Sequence, residues 1–91
     1  MDSPIRTITR EDSVMAAVRG KAAEETERAE NLVIRCAYVI RDLELNGPPP
    51  NAQRSPLPNG RINYLYQIAG VRFKFTDNGR NIHITEVRFS R

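Results

Sequence analysis

The stretch VRFKFTDNGRNIHITEVRF, residues 71–89, carries the decisive signal in this 91-residue chain. Val71, Phe73 and Phe75 alternate with Arg72 and Lys74, and Ile82 and Ile84 flank His83, the period of two that a half-buried strand requires. Between them, Asp77-Asn78-Gly79 reads as a hairpin turn in which Asn78 and Gly79 supply the positive φ angles of a two-residue type I′ loop. That loop pairs Phe75 with Ile82, Lys74 with His83, Phe73 with Ile84 and Arg72 with Thr85. Further on, the apolar phase moves from Ile82 and Ile84 to Val87 and Phe89. A bulge near Thr85 and Glu86 absorbs this shift and sets Val71 against Val87. One face of the hairpin is then apolar, and the other carries Arg72, Lys74, His83 and Arg88.

Upstream, Ile62, Tyr64, Tyr66 and Ile68 alternate with Asn63 and Gln67, and Ala69-Gly70 marks the turn into the hairpin. Tyr64 and Tyr66 share a face with the isoleucines, so core packing is the stronger reading and base stacking the weaker. Residues 46–60, NGPPPNAQRSPLPNG, hold five prolines and read as a loop, with Asn46-Gly47 and the following prolines stopping a helix at about Leu45.

Residues 12–45 lack proline and read as helical, with Thr9, Asp12 and Ser13 as candidate N-caps and Glu11 and Asp12 suited to the positive helix end. Gly20 is the weak point: either one long helix tolerates it or two helices meet there. Ala29, Leu32, Val33, Cys36, Ala37, Ile40 and Leu43 form one stripe that faces a core. Glu27, Arg28, Glu30, Arg35, Arg41 and Asp42 line the solvated side. Residues 4–9, PIRTIT, alternate like a short edge strand, or else form a disordered lead-in. The expected architecture is α+β. A long N-terminal helix, or a helix pair, packs on one face of a three- to four-stranded antiparallel sheet spanning 61–91.

The length allows one domain, residues 1–91, and excludes separate cofactor and substrate lobes. Hydrophobic residues at 40% and charged residues at 27% match an ordinary folded chain. No apolar run is long enough for a membrane span and the first residues lack a secretory pattern, so the reading places the chain in the cytoplasm. With one cysteine and one histidine, neither an internal disulfide nor a Cys/His zinc site is expected, and no cofactor is expected. Cys36 lies on the core stripe and reads as packing, not as a nucleophile. A domain this small buries a modest core, so self-association is an expectation. The long helix would share its Ala29–Leu43 stripe between the sheet and a second copy.

Charge is unevenly divided. Residues 1–46 carry a balance of −2 and residues 47–91 one of +5, together the net +3. A positive half points to nucleic acid or an acidic protein segment as partner. Phosphate-loop, dinucleotide, nucleophile-elbow and zinc-peptidase motifs are absent, and the basic sheet lacks the carboxylates of a metal-dependent nuclease. Arginine and lysine nevertheless bind phosphate and stabilise charge that builds up during RNA strand cleavage, without a metal. The candidate catalytic residues are Arg72, Lys74, His83 and Arg88. Arg54, Arg61, Arg72, Lys74, Arg88 and Arg91 are the candidate contacts to nucleic acid or partner. His83 is either an acid or base near neutral pH or an ordinary polar strand residue.

Residues 43–91 resemble the C-terminal half of the RelE/ParE toxin superfamily. The resemblance rests on LELNGP at 43–48, PLPNGR at 56–61, YQIAGVRFKF at 66–75, and IHITEVRFSR at 82–91 after a tight turn. It implies a compact α+β toxin with an N-terminal strand, one or two helices and a curved antiparallel sheet. It also implies either mRNA cleavage on the ribosome, as a metal-independent endoribonuclease, or inhibition of DNA gyrase, with silencing by a cognate antitoxin. Arg72 falls on the strand arginine of the pattern, Lys74 on a neighbouring basic position, and Arg88 or Arg91 on the final basic one. No Tyr or His follows Val87, a departure from the ribonuclease branch. The rival reading is a small non-enzymatic binding or inhibitor module, phage-encoded for instance. It would use the basic face or the Pro48–Pro58 loop to block a nucleic-acid-binding or acidic partner.

Overall fold

The computed structural model describes residues 5–90. The chain runs β1 (Thr7–Arg10), α1 (Asp12–Ala22), α2 (Glu27–Asn46), β2 (Gln53–Pro56), β3 (Ile62–Ile68), β4 (Val71–Asp77) and β5 (Asn81–Phe89). The fold is α+β. Its sheet, however, has five strands in the order β1-β5-β4-β3-β2 and is mixed, where three or four antiparallel strands were expected. Two additions account for the difference. Thr7–Arg10 pairs in parallel with Asn81–Ile84, so the lead-in is an edge strand that precedes both helices. Within the proline-rich segment, Gln53–Pro56 pairs with Ile62–Leu65, because Pro56 sits on an outer edge where its missing N–H costs no ladder bond.

The helical region is a pair, and the break lies beyond Gly20. Gly20 stays inside α1, on its exposed side, with open space where a side chain would be. The chain turns instead at Glu25, whose φ is 53°, and restarts at Thr26, whose hydroxyl accepts the Ala29 N–H at 3.1 Å. Thr26 is an N-cap with Glu27 and Glu30 in the first turn behind it, and that local chemistry outweighs the modest propensity cost of one glycine. At the other end α2 runs to Asn46, and Gly47, at φ 75°, sends its N–H back to Leu43. Arg6 crosses directly over Gly47, where a Cβ would meet its guanidinium at 2.5 Å.

Both helices cover one sheet face. Val14 of α1 and Leu32, Cys36, Val39 and Leu43 of α2 pack with Tyr64, Val71, Phe73, Phe75, Ile82, Ile84 and Val87 in one core, and Ala29 of α2 is buried as well. The buried stripe of α2 therefore includes Val39, while Ala37 points to solvent and Val33 and Ile40 are half-buried. Tyr64 stacks on Phe75 with ring centroids 5.1 Å apart, so both strand tyrosines face the core: Tyr66 lies over Phe73. Burial lifts the Cys36 thiol to about 11 against the opposing pull of the Arg10 charge, and the sulfur stays a protonated packing group.

The hairpin departs from its expected register by two residues. Asp77 pairs with Ile82, leaving 78–81 as a four-residue loop, so Phe75 meets Ile84, Arg72 meets Arg88 and Val71 meets Phe89. Asn78 widens the loop: its Oδ1 accepts the N–H groups of both Arg80 and Asn81, at 3.0 and 2.7 Å. The bulge falls at Thr85, opposite the junction of Lys74 and Phe75, and the Thr85 hydroxyl donates to the Lys74 carbonyl at 3.1 Å. An even slip leaves every side chain on its original face, so Arg72, Lys74, His83 and Arg88 stay together.

Candidate nucleic-acid interface

The sheet face opposite the helices is open, and its side chains form rows across the strands. At one end, Arg72 lies between Gln67 of β3 and Arg88 of β5. In the next row Lys74 lies between Leu65 and Glu86. Two arginines directly opposite one another repel, and Glu86 relieves the strain. Its Oε1 accepts from Arg88 Nε at 2.9 Å, and its Oε2 lies 3.5 Å from Lys74 Nζ. Burial alone would raise the Glu86 pKa. The charges and hydrogen bonds of Arg88 and Lys74 outweigh it and hold the carboxyl below its ordinary value, so it is ionised at neutral pH. Arg72 is held differently. Its Nε is buried and has no hydrogen-bond partner among the described residues, and its side chain borders a groove shared with Gln67, Arg88 and the Ala69-Gly70 turn. Both residues of that turn have positive φ, 37° and 91°, the two-residue geometry that keeps β3 and β4 tightly paired.

The other end of the face is polar and hydroxyl-rich. One row runs Thr9, His83, Thr76, Asn63 across β1, β5, β4 and β3. Thr9 Oγ1 lies 2.7 Å from His83 Nδ1, and Glu11 Oε1 lies 2.9 Å from His83 Nε2. A carboxylate only accepts, so Nε2 carries a hydrogen; in the neutral ring Nδ1 is then the acceptor for the Thr9 hydroxyl. The result is a hydroxyl–imidazole–carboxylate relay in which Glu11 orients the ring. Thr7, Thr9, Arg61, Thr76, Asn78, Asn81 and His83 together line a groove of about 390 Å³. An oxyanion in it would meet hydroxyl and amide donors, a guanidinium and an imidazole.

The structure thus brings together Arg72, Lys74, Arg88 and His83 on one face, with Arg61 at its hydroxyl-rich end. Arg54 belongs elsewhere: it pairs with core-facing Tyr64, so it projects from the exposed edge of the sheet toward the helix side. Arg91 lies outside the described residues. Sequence reading missed Thr9, Glu11, Thr76 and the neutralising role of Glu86. The alternation in residues 4–9 could have flagged Thr9 as a strand position, but its pairing with a residue 74 positions away carries no local signal. No group of three metal-ligating side chains occurs among the described residues, and no helix among them is long and apolar enough to cross a membrane. Comparison with protein-family models, with curated proteins and with solved structures finds no match to the chain.

Proposed function

We propose that this protein is a RelE/ParE-like toxin of a toxin–antitoxin pair that acts on translation, with the open sheet face as its contact to RNA. The single observation that carries the reading is the convergence of Arg72, Lys74, Arg88, His83 and Arg61 on one helix-free face. The order of strand, helix pair and antiparallel strands is the order the resemblance implies, and this supports the reading further. In it, Arg72 binds a backbone phosphate through the outer N–H groups of its guanidinium, at the end of the face remote from His83. His83, aligned by Glu11, takes or delivers a proton. Arg61 fixes a neighbouring phosphate.

The test is induced expression in a bacterial host, following growth and total protein synthesis, beside the Arg72→Ala/Lys74→Ala double variant. Growth arrest with collapse of translation only for the unaltered protein is the expected result; healthy growth of both strains overturns it. Arrest with intact translation and stalled DNA supercoiling would redirect the reading to gyrase.

One observation favours a second reading, the non-enzymatic binding module. Glu86 neutralises charge on two of the five clustered groups, an arrangement that suits a balanced docking surface better than a cleavage centre. Stable binding of RNA or of an acidic protein with no strand cleavage would favour the module.

A further inference from the structure

Helix α2 has a second apolar stripe that the fold leaves uncovered. Ile34, Tyr38, Arg41 and Leu45 follow one another at spacings of four, three and four residues, the heptad spacing of a helix-pairing seam. At about 100° per residue this stripe lies directly opposite the core stripe of Ala29, Leu32, Cys36, Val39 and Leu43. Its apolar members are 52% (Ile34), 73% (Tyr38) and 44% (Leu45) exposed, unusual for large side chains lined up on one helix face. Ile68 at the end of β3 extends the patch across an adjoining groove of about 470 Å³. A helix apolar on two opposite sides is one that is covered on both.

We propose that a second copy of this chain covers the outward stripe, with the two α2 helices antiparallel. Charge decides both the occupant and the orientation. In the antiparallel heptad register Ile34 packs against the partner's Leu45, and Tyr38 lies against the partner's Arg41, each contact occurring twice by symmetry. The same register sets Arg35, on one flank, opposite the partner's Asp42, giving two opposite-charge pairs, and on the other flank Ala37 faces the partner's Glu44. No like charges meet. In the parallel alternative Arg41 would face the partner's Arg41 inside the seam, a repulsion without relief. The present contacts are compatible with the antiparallel arrangement. Arg35 donates one N–H to the Ala69 carbonyl at 2.8 Å, and the fork has further donors. Asp42 uses one oxygen to accept from Asn46, leaving the other. Arg41 keeps its 2.8 Å bond to Glu44 while its plane stacks on tyrosine. Because α2 covers the core side of the sheet, both open basic faces stay accessible on the outside of the dimer.

Sedimentation velocity on the full chain over a range of concentrations tests this. A two-heptad seam is a small interface, so a reversible dimer with a dissociation constant on the order of 10 µM is expected. Tyr38→Arg should weaken it by more than about tenfold with an unchanged circular dichroism spectrum, since it sets a second positive charge against the partner's Arg41 in the centre of the seam. Arg35→Asp and Asp42→Arg should each weaken it, and the double charge reversal should restore it. Monomer mass up to about 500 µM, dimerisation indifferent to Tyr38→Arg, or failure of the double reversal to rescue would each overturn the proposal.

Discussion

The two ends of the open sheet face solve the same problem, polar side chains on an uncovered strand surface, in opposite ways. At the Arg72 end, like charges are crowded on neighbouring strands and a single carboxylate, Glu86, holds two of them in place. At the His83 end, charge is sparse and a single imidazole is fixed between a hydroxyl and a carboxylate contributed by the other end of the chain. The first arrangement suits phosphate binding at long range, where strength depends on net charge and salt. The second suits chemistry at one atom, where geometry decides. A face with both can attract a polyanion at one end and act on it at the other.

The largest effect should come from the layer under both ends. Phe75→Ala removes a fully buried ring stacked on Tyr64, and a loss of about 3–5 kcal/mol in denaturant unfolding is expected. Both ends should fail together, and survival of one without the other would break the view that a single rigid sheet positions them.

Next in size, Glu86→Gln should separate the ends. Lys74 and Arg88 lose their shared counter-charge, so RNA should bind more tightly at low salt and lose that gain as salt rises, with log Kd against log salt steeper by about one. His83 should keep its hydrogen bonds. An unchanged slope would mean that Glu86 does not restrain this end.

A pH measurement sharpens the same point. The folded-state pKa of Glu86 lies below the ordinary 4.5 because Arg88 and Lys74 outweigh its burial. Its ion pairs therefore stabilise the fold fully above the unfolded carboxylate value, and that contribution fades as pH falls through the lowered value. Urea unfolding of the unaltered protein and of Glu86→Gln should differ at pH 7 and converge in strong acid. A constant difference across that range would contradict the assignment.

The smallest effect belongs to the His83 end. Glu11→Gln leaves the ring a weaker partner at Nε2, and nitrogen NMR of the imidazole should show the Nε2–H tautomer less populated, with global stability changed by less than about 1 kcal/mol. A dominant Nε2–H tautomer persisting in that variant would show that Thr9 alone sets the ring.

The difference between the ends also marks how far the sequence could be read. Alternation around Val71–Phe75 and Ile82–Ile84, with the phase change at Val87, was enough to place Arg72, Lys74, His83 and Arg88 on one face and to locate the bulge. The register itself was misread by two, because Asn78 bonds both Arg80 and Asn81 and opens the loop beyond two residues. A period of two hides such a slip. Gly20 leaves one long helix or a pair meeting there as alternatives, whereas the helices part at Glu25, ahead of Thr26, the better cap with its acidic residues behind it. The proline-rich stretch concealed an edge strand, since composition reports turns and not pairing. What joined Thr9 and Glu11 to His83 was the parallel pairing of the first strand with the last, a non-local contact for which no short pattern exists. The charged end was therefore legible and the relay was not.

The most direct measurement of whether the Arg72 end of the face binds RNA backbone is the affinity of a short single-stranded RNA across a salt series, for the unaltered protein and for Arg72→Ala. The predicted result is salt-dependent binding whose slope falls by about one, with weaker affinity, in the variant, across unrelated RNA sequences. No binding at low salt, or an identical slope and affinity for Arg72→Ala, would contradict it.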